Sequence, residues 1–303
     1  MTFALGCAPL GNHGIELTDD QAHAVLAGAW DHGVRAFDTA PHYGLGLSER
    51  RLGRLLAGVP REQALVATKV GRLLVPQDAA GRLDDEGFLV PADHRRVPDY
   101  SADGVRRSLH ESLDRLGLDR VDISYVHDAE RYNLEAGLTT ALEGLQLLKQ
   151  EGLVDTIGFA SMDAAALLRA ADSGDWDELM VAGVHTLASD GTRVLDRALE
   201  TDTRVAAAAI FNGGVLATGL LPDRENLFDY EPISPGKTAV VKRLEALCAA
   251  HGVALPAAAL QFPLRHPAVV RVVVGGITAD QVARNLHLLR SPVPEDFWRE
   301  LAA

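Results

Sequence analysis

Cysteine is nearly absent. The chain has 303 residues and two cysteines, Cys7 and Cys248, far apart and without the spacing of a metal site or a disulfide framework. A thiol-free mechanism in a reducing compartment is the expectation, with no metal centre. Positive charge is also scarce: 29 Lys and Arg face 42 Asp and Glu, a formal net charge of −13. An acidic surface argues against a nucleic-acid partner. Long apolar runs are missing too. The run 205–211 is far shorter than the ~20 residues that span a bilayer. Residues 1–11 show neither a basic start nor a long apolar stretch, so no secretory leader is read there. The expectation is a soluble cytoplasmic protein that does not meet a membrane. Glycine-rich nucleotide fingerprints are lacking as well. The segment GCAPLGNHG after the first strand is no convincing GxGxxG, and GLG at 44–46 has no Gly-Lys-Ser/Thr behind it, so a P-loop is rejected.

What the chain does have is a core and a rhythm. Apolar residues make up 47%, enough for a full interior. Strand-like and helix-like patterns then alternate along the whole length. Strands are expected over 3–8, 34–38, 64–70, 121–127, 154–160, 178–184, 204–211 and 269–275. Helices are expected over 18–33, 47–58, 101–118, 133–152, 163–174, 190–202, 238–252 and 278–289. Thr18 and Ser101 read as N-caps and Gly33 as a C-terminal stop. Residues 71–100 read as one long irregular loop. Eight strands, each followed by a helix, in about 300 residues is the count of a (β/α)8 TIM barrel, expected here as a single α/β domain over 1–303. The rival, an open doubly wound sheet, would want the fingerprint that is missing.

Active sites of such barrels lie at the C-terminal ends of the strands. Four groups fall there. Asp38 ends the second strand and Tyr43 follows in its loop. Lys69 ends the third strand. His127 ends the fourth, with Asp128 next to it. Each has a plain reading alone: a turn acid, a packed tyrosine, a lysine reaching solvent, a core histidine. Together they form acid/base equipment. An Asp beside a Lys keeps both charged, and a Lys beside a Tyr draws the phenol down from its usual ~10. A nearby His can bond a carbonyl oxygen. Such a set moves a proton to or from oxygen near neutral pH. Gly44 and Gly46 let the backbone turn below Tyr43 into a helix capped at Ser48.

The stretches FDTAPHYGLGLSERRLG, ATKVGRLL, RSLHESLDRLGLDRVDISYVHD and AAALQFPLRHPAV resemble the aldo-keto reductases. More narrowly they are similar to the sugar-oxidising, D-threo-aldose (L-fucose) dehydrogenase-like branch. The resemblance covers nearly the whole chain. It implies a (β/α)8 barrel, NAD or NADP as cofactor, and a catalytic tetrad at Asp38, Tyr43, Lys69 and His127. It also implies a pyrophosphate near Phe211, Asn212, Gly213 and Gly214. The adenosine end would lie near Gly275, Gly276, Thr278, Gln281 and Asn285, at a helix N-terminus suited to phosphate. This branch often carries arginine where Ile277 stands, so NAD is favoured over NADP, with Arg284 as the other basic candidate.

Three positions depart from the family. Where it presents an Asn or Gln amide to the nicotinamide, this chain reads Ser161, Met162 and Asp163. Where many members have a tyrosine beside the ring, this chain has His185. Phe-Asn-Gly-Gly replaces Phe-Asn-Ser-Gly at 211–214. Ser161 and His185 are the expected nicotinamide contacts, with weaker cofactor affinity or a narrower substrate range as the consequence. The leading function is an NAD(P)-dependent oxidation of a hydroxyl on a polar substrate such as a sugar lactol. The alternatives are an aldehyde or ketone reductase, a non-redox or regulatory barrel, and a Schiff-base aldolase on Lys69. The last leaves Asp38 and Tyr43 unexplained. The segment DHRRVPDY in the long loop is a candidate anion or sugar contact, and the oligomeric state is not legible.

Overall fold

The computed structural model describes residues 2–223, 225–229 and 231–303. Strands run β1 (Phe3–Gly6), β2 (Ala36–Asp38), β3 (Leu65–Val70), β4 (Arg72–Pro76), β5 (His94–Pro98) and β6 (Val121–His127). They continue as β7 (Val154–Ser161), β8 (Glu178–Ala182), β9 (Arg204–Ala208), β10 (Leu227–Phe228), β11 (Glu231–Pro232) and β12 (Val269–Gly275). Helices run α1 (Asp19–Asp31), α2 (Leu47–Leu56), α3 (Ala102–Leu116), α4 (Leu134–Leu138), α5 (Thr140–Gln150) and α6 (Ala164–Ser173). After them come α7 (Thr192–Glu200), α8 (Val215–Thr218), α9 (Pro235–Ala250), α10 (Leu255–Gln261), α11 (Ala279–Arg290) and α12 (Glu295–Leu301).

Eight of the strands close a barrel in the order β1-β12-β9-β8-β7-β6-β3-β2, every neighbouring pair parallel. This is the (β/α)8 barrel. Its inside is filled by inward side chains, the small Ala4, Ala36, Ala67, Ala160, Ala206 and Ala208 packing with Ile123, Tyr125, Met180 and Val273. The strand period of two then decides what else points inward. Counting on from Ala36, Ala67 and Ile123 brings Asp38, Lys69 and His127 to the same inner face at the strand ends. The alternate residues, such as Leu5, Phe37, Val66 and Val126, face the helices in the main core.

Thr18 caps α1 in a capping box with Gln21, and Ser101 caps α3, which ends on Gly117 in the left-handed region (φ 65°). Four expectations need correction. The segment 71–100 is not irregular: β4 and β5 form an antiparallel hairpin, with Arg72 opposite Pro98 and Leu74 opposite Arg96. The helix expected over 133–152 is broken at Thr139, whose φ/ψ of −119°/−85° is non-helical. The strand expected over 204–211 stops at Ala208, because Ala209 turns to φ 50°. An unread helix, α10, sits before the last barrel strand, with a proline in its first turn. Among the described residues no single helix is long and apolar enough to cross a membrane.

Candidate active site

Asp38, Lys69 and His127 lie on the neighbouring strands β2, β3 and β6, all at the C-terminal end. Lys69 is 2% exposed and Asp38 4%. Lys69 Nζ donates to both Asp38 oxygens, at 2.9 and 2.7 Å, and to Thr39 O at 3.0 Å. The same ammonium stands 4.8 Å from the Tyr43 ring centre and hydrogen-bonds the Tyr43 side chain. Burial works against the ammonium, but the charges and hydrogen bonds of Asp38 and Tyr43 outweigh it and raise the Lys69 pKa. Burial raises Asp38, opposed chiefly by Lys69. Cys7, wholly buried beside this pair, is pushed far above the usual thiol range by burial and by Asp38. Cys248 is pushed up to about 11 by burial. Neither is a thiolate at neutral pH.

The tyrosine is placed by main chain rather than by side-chain packing. A Cβ on Gly44 would lie 2.3 Å from Gly11 O, and one on Gly11 would lie 2.6 Å from the Tyr43 carbonyl carbon. The two loops therefore touch backbone to backbone. Gly46 (φ 81°), not Ser48, caps α2. Ser48 lies inside the helix and donates to Cys7 O at 2.7 Å, which ties the Tyr43 loop to the end of β1.

Around Tyr43 the structure gathers groups that the sequence reading did not assign. The rings of His127 and His42 stand 6.0 Å from Tyr43, and the two histidines are 5.5 Å apart. Phe88, from the 71–100 segment, packs on Tyr43 and His42. Arg96 on β5 pairs with Asp84 in a bidentate contact and donates to His42 O at 2.9 Å. The segment DHRRVPDY thus contributes a strand whose Arg96 is internally paired, and only Arg95 of its arginines is exposed. Burial, then Arg72, Arg96, Arg131 and Lys69, hold His42 down to about 2. Burial, then Arg72, Lys69, His42 and Arg131, keep His127 well below its ordinary value. Both imidazoles are neutral at physiological pH. No sequence signal marked His42 or Arg72: His42 meets Phe88 and Arg96 of the hairpin, and Arg72 on the hairpin meets Asp128 and Tyr132 after β6.

The residues expected around a dinucleotide are scattered along the same face, and several have partners already. Ser161 donates to Glu130 Oε1 at 2.6 Å and accepts from Asp163 N at 2.8 Å. Glu130 Oε2 is buried with no partner among the described residues, and burial raises the Glu130 pKa. Met162 is exposed. The His185 ring, expected beside the nicotinamide, stacks on Phe262 at 4.9 Å, with His266 at 6.3 Å. Burial and His266 lower it to about 4. Phe211 packs between two apolar clusters. Asn212 donates to Asp229 Oδ1 at 2.8 Å while its own Oδ1 is buried with no partner among the described residues. Gly213 and Gly214 have φ of 73° and 102°, and a Cβ on Gly214 would meet nothing within 4 Å among the described residues. Gly275 ends β12 and Gly276 follows. Thr278 caps α11, accepting from Gln281 N at 3.1 Å, and Gln281 Oε1 accepts from Ile277 N at 2.9 Å. Asn285 lies half-buried further along α11.

The sequence profile of the Aldo/keto reductase family matches residues 2–303. The chain is 44% identical over 302 residues to D-threo-aldose 1-dehydrogenase from Pseudomonas sp., covering 98% of this chain and 92% of that one. It is 33% identical over 318 residues to pyridoxal 4-dehydrogenase from Microbacterium luteolum, covering 99% and 92%. Among solved structures it resembles a glycerol dehydrogenase from Gluconobacter oxydans, with a TM-score of 0.79 at 21% identity, over 99% of this chain and 90% of that one.

Proposed function

The chain belongs to the aldo/keto reductase family and is an NAD(P)-dependent oxidoreductase; on that premise we propose that it oxidises C1 of a free aldose in its lactol form, using NAD in preference to NADP. The observation that carries the reading is the buried Asp38–Lys69 pair bonded to Tyr43, with neutral His127 alongside. The choice of an aldose rests on the 44% identity to D-threo-aldose 1-dehydrogenase.

The residues present fit a nicotinamide dinucleotide. The N–H groups of Ala279 and Asp280 at the start of α11 have no acceptor among the described residues, which suits a phosphate. Asp280 in that first turn and Ile277 before it supply no cation for a 2′-phosphate, which favours NAD. Gly213 and Gly214 permit close approach of a pyrophosphate. Glu130 Oε2 and Asn212 Oδ1 are buried acceptors with capacity left. Glu130, held by Ser161, takes the place of the missing amide toward the carboxamide.

A bound nicotinamide would supply the acceptor for the hydride leaving the lactol carbon. The remaining steps belong to the protein. Tyr43 takes the hydroxyl proton as the C1–H bond breaks, leaving a lactone. The Lys69 ammonium favours the ionised phenol, and Asp38 holds Lys69 in place. His127 directs a ring N–H at the substrate oxygen. Reduction of an aldehyde is the same path reversed, with Tyr43 as acid.

Titration with NAD(H) and NADP(H), followed by an aldose screen on the absorbance of reduced cofactor, tests the reading. NAD should bind at least as tightly as NADP, and an aldose should reduce it. A tenfold NADP preference, ~1.4 kcal/mol, would overturn the NAD assignment. No turnover with any aldose would overturn the substrate class.

A further inference from the structure

Arg72 is the first residue of β4, three positions beyond Lys69, and its side chain is 2% exposed. Its Nη2 donates to Asp128 Oδ2 at 2.7 Å. The guanidinium lies 5.4 Å from the Tyr132 ring centre, and its Nε and Nη1 have no acceptor among the described residues. Asp128 directly follows His127 and is turned back by a left-handed backbone (φ 40°). The same Asp128 Oδ2 that meets Arg72 stands 3.6 Å from His127 Nε2, too far for a hydrogen bond. One carboxylate oxygen thus has two donor neighbours and is bonded to only one.

We propose that Arg72 is a positioning residue: it holds the Asp128 carboxylate off His127, so that the Nε2–H of the neutral imidazole stays free for the substrate oxygen. The proposal rests on the reading of His127 as the group that meets that oxygen. Without the guanidinium, His127 Nε2 is left as a donor neighbour 3.6 Å from Asp128 Oδ2. The carboxylate would close on it, occupy the N–H and favour the imidazolium. The other groups around His127 do not replace Arg72. Lys69 on β3 is committed to Asp38 and Tyr43. His42 and Tyr43 face it from the loop after β2, and His42 is itself neutral. Tyr100, ahead of α3, donates to the His127 carbonyl at 3.2 Å and not to the ring. Arg131, on the same loop as Asp128, is half exposed and pairs with Glu86. Tyr125, the next inward residue on β6, is bonded to Glu178. In the parent, burial and then Arg72 act together to keep His127 uncharged.

The test uses Arg72→Met, Asp128→Asn and the double variant, with two readouts. The first is an NMR titration of the histidine rings with no substrate present, His127→Gln on each background identifying the signal. Arg72→Met should bring His127 into titration at about pH 6–7, near the ordinary histidine value. Asp128→Asn should not, and the double variant should return to the parent pattern. The second readout is kcat/KM for aldehyde reduction against pH. Arg72→Met should gain an acid limb, losing about tenfold between pH 7.5 and 5.5 for a group near 6.5, and the double variant should lose that limb. A flat titration in Arg72→Met, or an acid limb that survives in the double variant, overturns the proposal. A shifted NMR titration with no acid limb instead overturns the placement of His127 at the substrate oxygen. Should Arg72→Met fail to fold, Arg72→Ala removes the same donor to Asp128 without a long apolar side chain in its place, and the same outcomes decide.

Discussion

The inner wall of the barrel holds two buried charged clusters, one below the other. At the lower end, Tyr125 donates to Glu178 Oε1, and Arg271 donates to Glu178 Oε2 at 2.9 Å, with Arg204 at 3.7 Å beyond it. Glu178 is fully buried, and among the described residues none of the three inner side chains leaves a buried atom without a partner. At the upper end, Asp38 and Lys69 are just as tightly paired. Beyond them, though, His42 Nδ1, Arg72 Nε and Nη1, and Glu130 Oε2 have no hydrogen-bond partner among the described residues. Both clusters must pair to stay charged in a low-dielectric interior. The lower one is closed and serves stability. The upper one keeps capacity for something that arrives. Barrels divide these tasks between their two faces in this way.

Lys69→Met strikes hardest, because Lys69 serves both purposes. It strands a buried carboxylate, a cost of about 3–5 kcal/mol when one partner of a buried pair is removed. It also removes the cation beside Tyr43, so turnover should fall below detection. Thermal denaturation and rate assays should both register it. Glu178→Ala should cost a similar 3–5 kcal/mol by leaving Arg271 uncompensated, yet activity per folded molecule should persist. Glu178→Leu with Arg271→Met should recover much of that stability. If Glu178→Ala instead abolished turnover in folded protein, the division between the clusters would fail.

Tyr43→Phe should do the reverse of Glu178→Ala. Turnover should drop ~10²-fold or more, the scale of a positioned acid/base, while dinucleotide binding and melting temperature stay close to the parent. Smaller is the response of stability to acid. His42, His127 and His185 all have folded pKa values below the ordinary ~6.5. The unfolded chain therefore takes up protons that the fold refuses, and stability should fall as pH drops below about 6.5. Denaturant titrations should show His127→Gln softening that slope and Glu178→Ala leaving it alone. The smallest effect is expected from His185→Ala. Losing the stack on Phe262 should cost about 0.5–1.5 kcal/mol. Unchanged dinucleotide affinity would keep His185 in that stack alone, whereas a weaker Kd would return it to the nicotinamide.

The upper cluster was partly legible because barrel geometry is periodic. Asp38, Lys69 and His127 each end an apolar strand, and a period of two turns all three inward from Ala36, Ala67 and Ile123. The eight strands and their helices were legible for the same reason. The hairpin was not. Its strands, RLLVP and HRRVP, carry charges and prolines, and their pairing is set by contact with each other and with Phe88, Asp84 and His42. Arg72 and His42 gain their meaning only from that fold. The break at Thr139 was hidden because Thr139 donates its hydroxyl to Glu135 O, a local bond that a helical hydrophobic pattern does not reveal. His185 reads from sequence as a loop residue near the ring, and only three-dimensional packing supplies Phe262 as its neighbour.

The β4–β5 hairpin is fastened to the barrel loops at two arginines, Arg72 to Asp128 and Arg96 to His42 O, and Arg96 also braces the hairpin internally through Asp84. Between those clasps its tip, including Phe88, contributes side chains against Tyr43 without supplying any of the proton-handling groups. The hairpin is therefore an interchangeable cartridge. Exchanging residues 77–93 for those of a relative, with Asp84 kept as the partner of Arg96, should change the preference for substrate shape while leaving the proposed proton-handling groups on the barrel strands in place. Divergence of substrate range in such a molecule can proceed through one surface insert, with the reaction itself conserved beneath it.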